Sequence, residues 1–105
     1  MVSGDRQVVI GERGPFWSMQ RHFSTFFDRV DVLVPGPGAE VVTRSIHDNV
    51  HFHVGPPGRR ALPGWIASRG AALVQEHGHG LAVTHDYGTF YNGRGGARLA
   101  RAAGI

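Results

Sequence analysis

Four short apolar runs are separated by stretches whose apolar residues recur at helical spacing, and this alternation limits the chain to few architectures. The runs are residues 7–11 (QVVIG), 30–34 (VDVLV), 49–55 (NVHFHVG) and 81–85 (LAVTH). They are rich in β-branched residues, too short for helices, and bounded by Gly or Pro, so they read as buried strands. Between them, Met19, Phe23, Phe26, Phe27 and Val30 recur with a helical period. This predicts a helix from Pro15 to about Arg29 with proline in its first turn. A second helix is predicted from Pro63, with Trp65, Ile66, Leu73 and Val74 as its apolar stripe. A third is predicted from near Thr89 to Ala103, stopped at Gly104. The stretch between residues 35 and 48 carries no clear pattern and reads as connection, as do the Pro/Gly clusters at 35–38 and 55–58. Strands alternating with helices predict an α/β fold, a Rossmann-like open parallel sheet of about four strands with about three helices. Right-handed crossovers then give the order 3-2-1-4.

A length of 105 residues allows one domain, residues 1–105. Cysteine is absent, which excludes a disulfide framework and thiol chemistry. All eleven basic residues are Arg, which excludes Schiff-base and P-loop lysine chemistry. The arginines are scattered from Arg6 to Arg101 and the net charge is only +3, so no nucleic-acid partner is expected. No run is long enough to span a bilayer, and the first residues lack the apolar core of a signal peptide. The expected location is cytoplasmic, or peripheral to the inner face of the membrane.

Ligands of open α/β sheets bind beyond the carboxyl ends of the strands, where the strand order reverses. Two loops fall there. One holds Gly11, Glu12, Arg13 and Gly14 (GERG), which is not a dinucleotide fingerprint; it is a tight turn or a close backbone approach to a ligand. The other is THDYGTFYNG, which begins with His85 and Asp86. His85 can donate, accept or titrate near neutral pH. Asp86 can orient it, or cap the following helix. The glycines of GRGG (93–96) allow close packing or close ligand approach. Seven histidines raise the question of metal. His51 and His53 share a strand face, but His77 and His79 are expected elsewhere, with no carboxylate near His51. No metal site and no cofactor is therefore expected.

The segment LAVTHDYGTFYNGRGGARLARAAGI resembles the part of family 4-like glycosyltransferases in which a strand ends in a His/Gln-Asp pair. An aromatic, Gly-containing loop and a helix ending in L-A-R-x-x-G-I follow there. FFDRVDVLVPGPG and NVHFHVGPPG are similar to the second and third strands of the same domain. The resemblance implies an incomplete amino-terminal, acceptor-side half of a retaining GT-B enzyme, inactive without a carboxy-terminal donor-binding domain. Nucleotide-sugar donor and acceptor would bind only with that domain. His85 and Asp86 map onto the catalytic cleft. Gly11, Glu12, Arg13, Gly14, Tyr87, Thr89, Asn92 and Gly93 map onto substrate-binding positions, although GERG lacks the family's usual Gly-Gly pair. The family continues into another strand after GI, so an open edge at strand four and a homodimer through it are expected. The alternative is a non-catalytic binding or assembly module that reuses the fold.

Overall fold

A computed structural model describes residues 1–36, 43–56, 58, 60–86 and 91–105. Along these residues run α1 (Pro15–Phe26), β1 (Val30–Pro35), β2 (Thr43–Ile46), β3 (Val50–Gly55), α2 (Leu62–His77) and α3 (Tyr91–Ala103). The three helices occupy the stretches that periodicity predicts. The expected start of the third helix at Thr89 lies outside the described residues. Both α2 and α3 are followed by a left-handed glycine, Gly78 and Gly104, each with φ of 72°. Only a residue without Cβ takes that conformation cheaply.

β1 and β3 correspond to the second and third apolar runs. They pair in parallel, from Val30 opposite Val50 to Pro35 opposite Gly55. β2 was not predicted. It pairs antiparallel with β3, from Thr43 opposite His53 to Ile46 opposite Val50. Its sequence, TRSI, is too polar to read as a buried strand. It is held by a tight connection in which His47 and Asp48 both take positive φ, 51° and 67°. Asn49 completes the turn, and its Nδ2 donates to the carbonyls of Ser24 (2.8 Å) and Phe27 (2.9 Å). Carbonyls at the end of α1 are thereby satisfied by the hairpin.

The sheet is therefore three-stranded and mixed, in the order β1-β3-β2. This overturns the expected open parallel four-stranded Rossmann-like sheet in the order 3-2-1-4. Two of the expected strands do not form. Residues 7–11 fold as a helical turn, in which Ile10 N donates to Arg6 O (3.1 Å) and Glu12 N to Gln7 O (2.9 Å). The cause lies just upstream. Asp5 Oδ1 accepts the Gln7 N–H at 2.9 Å, an Asx-type contact that starts a turn despite the β-branched residues after it. Residues 81–85 form only one bridge, Thr84 to Val2, and Val2 also bridges Leu33 of β1. The place expected for strand one is held by the extended first residues of the chain. These are too few to organise a full ladder on either side.

Alternation along β1 divides the core. Val30, Val32 and Val34 face α1, where they pack with Phe16, Phe52 and Val54. The Phe16 and Phe52 rings meet edge to face at 6.0 Å. On the other face, Leu33 packs with Val2 and with Leu62, Ile66 and Leu73 of α2. Beside Asn49 Oδ1, one other buried side-chain oxygen lacks a partner among the described residues, that of Gln20. Gln20 of α1 is fully buried, its Nε2 donating weakly to Met1 Sδ at 3.3 Å. Its Oε1 has no partner among the described residues. A buried, unsatisfied carbonyl costs about 1–3 kcal/mol. Gln20→Leu is therefore expected to raise stability by about 1–2 kcal/mol, read as a higher urea midpoint at unchanged slope. A lower midpoint would mean that Oε1 is satisfied after all.

Candidate functional site

His85 follows the Thr84 bridge, and its backbone N–H donates to Val2 O at 2.8 Å. Its half-buried ring stands edge-on to Phe16, with centroids 6.5 Å apart. Phe16 lies in the first turn of α1. That helix begins at Gly14, which provides no side-chain cap, so the first-turn amides lack the usual capping oxygen. The first turn of α3 lies on the other side. Asn92 Nδ2 donates to the His85 carbonyl at 2.7 Å, and Asp86 Oδ1 accepts the Gly93 N–H at 2.9 Å. A side chain at Gly93 would fall 2.6 Å from Asp86 Oδ2, which explains the glycine there.

The structure thus brings His85, Asp86, Asn92 and Gly93 together, with Phe16 as their neighbour. Asp86 acts as the capping group of α3, the structural role that its residue type also suits. Gly11, Glu12 and Arg13 are exposed and precede α1, with Gly11 at φ 92°. The Arg13 guanidinium lies 5.4 Å above the Trp17 ring, a cation–π contact within its own segment. Tyr87 and Thr89 lie outside the described residues.

A second cluster escaped the sequence reading. Asp31, the second residue of β1, is 5% exposed and is surrounded by donors. His53 Nε2 reaches Oδ1 at 2.8 Å, and His79 Nε2 reaches Oδ2 at 2.6 Å. Arg29 donates Nε to Oδ2 at 2.8 Å and Nη2 to Oδ1 at 3.1 Å. The amino group of Met1 donates to the Asp31 carbonyl at 2.7 Å. Arg69 Nη2 lies 3.2 Å from His53 Nδ1. A guanidinium only donates, so His53 presents its lone pair at Nδ1 and its proton at Nε2, toward Asp31. Burial alone would raise the Asp31 carboxyl, but hydrogen bonds from His53, Arg29 and His79 hold it well below the ordinary carboxylate range.

This corrects the expectation that His53 and His79 lie apart: both bind one carboxylate. No group of three His, Asp or Glu is arranged to hold a metal ion among the described residues. The signal was present in VDVLV. A carboxylate inside a buried strand must be paired, and the two same-face histidines of HFH lie within reach of the neighbouring strand. The pairing with Arg69 and His79 had no local signature.

Beside this cluster lies a cavity of about 370 Å³, walled mainly by Val, Leu and Phe side chains, with Arg29, Asp31 and His79 at its polar end. No protein-family model, curated protein or solved structure matches the chain. No helix among the described residues is long and apolar enough to cross a membrane.

Proposed function

We propose that this chain supplies the acceptor-side part of a retaining glycosyltransferase, with transfer requiring a donor-binding domain outside these residues. The observation that supports the reading is the Phe16–His85 contact, which sets an imidazole with no hydrogen-bond partner among the described residues beside the uncapped start of α1. Helix starts attract phosphate because their free amides and dipole favour negative charge. In this reading the α1 amides meet the donor's phosphates and His85 meets the sugar or the acceptor hydroxyl. Asp86 and Asn92 act by holding the start of α3 and the His85 backbone in place. The resemblance of residues 81–105 to family 4-like glycosyltransferases supports the same roles.

Transfer depends on holding donor and acceptor in one closed site, and this site has one wall. The isolated chain is therefore expected to show no turnover and to bind nucleotide sugars weakly. The test is an amide NMR titration with uridine- and guanosine-diphosphate sugars. The expected result is saturable shifts confined to Phe16, Trp17, His85 and Gly93, abolished in His85→Ala. Shifts centred on Asp31, no localised shifts up to about 10 mM ligand, or turnover by the chain alone would each overturn this reading.

A further inference from the structure

Arg29 grips Asp31 with one edge of its guanidinium, through Nε and Nη2. The outer edge, formed by Nη1 and the second Nη2 proton, has no protein acceptor among the described residues, and the side chain is 32% exposed. Planar guanidinium edges bind carboxylates in two-point fashion. Arg29 is also a wall residue of the 370 Å³ cavity. At this polar end Asp31 holds one edge of the Arg29 guanidinium, and Glu76 lies close enough to act on the same charge, which leaves the outer edge as the unpaired donor pair. The remaining walls include Leu33, Leu73, Val83 and Leu99, which offer no hydrogen bond. The site is an apolar pocket with a free guanidinium edge at one end.

We infer that this cavity is a binding site for a monocarboxylic acid with an apolar body, its carboxylate on the outer edge of Arg29 and its body along Leu73, Val83 and Leu99. Size agrees with that class. An apolar cavity of about 150 Å³ holds one benzene, so a space of this volume takes roughly a dozen heavy atoms. Charge distinguishes this occupant from a purely apolar one: a neutral chain would leave the free guanidinium edge unused, and an amine would be repelled by it. The site is separate from the His85 cluster, and the inference stands or falls independently of the glycosyltransferase reading.

The test uses octanoate, octan-1-ol and octylammonium as probes, followed by calorimetry and by methyl NMR of the leucines and valines. Octanoate is expected to bind about tenfold or more tighter than octan-1-ol, with octylammonium weakest. The shifts should fall on Leu73, Val83 and Leu99, and the preference for octanoate should shrink with added salt. Arg29→Gln should bring octanoate down to the level of the alcohol. Should that variant fail to fold, Leu81→Glu serves instead. Leu81 lines the same cavity but is 62% exposed, so the fold should persist while octanoate binding falls about fivefold or more. Equal binding of alcohol and acid would overturn the proposal. So would an absence of saturable binding up to about 10 mM. A dimer in light scattering that octanoate does not dissociate, with Leu81 and Val83 protected, would assign the cavity to a second copy and overturn it too.

Discussion

Replacing Asp31 is expected to be the most damaging single change outside the apolar core. The carboxylate takes hydrogen bonds from His53, His79 and Arg29, and none of these donors has another acceptor in the cluster. Removing one partner of a buried charged network costs about 3–5 kcal/mol, here chiefly because His53 stays buried without an acceptor for its Nε2 proton. Asp31→Ala should lose that amount, lowering the thermal midpoint by at least about 12 °C. Asp31→Asn should be nearly as harmful, since its amide sets a donor against donors. An Asn variant within about 1 kcal/mol of the parent would show that the cage contributes little.

The same network predicts a pH profile. The folded-state carboxyl of Asp31 lies far below its unfolded value, so its contribution is fully present above about pH 4 and is lost as the pH falls further. That acid arm should vanish in Asp31→Ala. The Met1 amino group adds a second arm. Burial lowers it from 8.0 to about 6, against the opposing pull of Asp31. The unfolded chain then takes up this proton first, and stability should fall as pH drops from 8 toward 6. Acetylating the amino terminus should remove this slope and leave the acid arm. Urea midpoints measured across pH for the three proteins would separate the two effects.

Gly95→Val is expected to have the other large effect. α2 and α3 cross closely through reciprocal notches. A Cβ on Gly95 would stand 2.7 Å from Ile66 Cδ1 and 2.8 Å from Ile66 Cβ, and one on Gly70 would stand 2.7 Å from both Leu99 methyls. Ile66 is β-branched, fully buried and stiff at χ1, and its Cβ cannot swing aside. Overpacking of this kind costs about 1–3 kcal/mol, and valine adds two further methyls. Gly95→Val should therefore destabilise by about 3 kcal/mol or more. Gly95→Ala should still cost about 1–2 kcal/mol net, although alanine gains about 1 kcal/mol of helix propensity. Gly64, also in α2, is the control, because a Cβ there meets nothing within 4 Å. Gly64→Ala should stabilise by up to about 1 kcal/mol. Equal effects at Gly64 and Gly95, read from urea midpoints, would refute the close crossing.

The elements legible in the sequence are those whose signal is local. Helical recurrence from Met19 to Phe27 and from Trp65 to Val74 marks α1 and α2, because one face of each meets the core. The Val-rich runs mark β1 and β3, because both of their faces are buried. Gly104 marks the end of α3 through a backbone conformation that Cβ disfavours. Within the His85 segment, Asp86 was legible as a cap by residue type, and the structure gives it that role.

Tertiary structure alone decided the rest. QVVIG has strand composition but lies next to Asp5, whose carboxylate starts a turn, and no sheet edge is offered to it. TRSI lacks strand composition, yet the left-handed pair His47–Asp48 folds it onto β3. LAVTH is reduced to the Thr84 bridge because, among the described residues, only Val2 pairs with it. The Asp31 cage joins residues from β1, β3, α2 and the segment after Gly78, separated by up to 48 positions. Propensity and periodicity describe what a residue does with its near neighbours. Which distant donor satisfies a buried carboxylate is settled only when the chain closes around it.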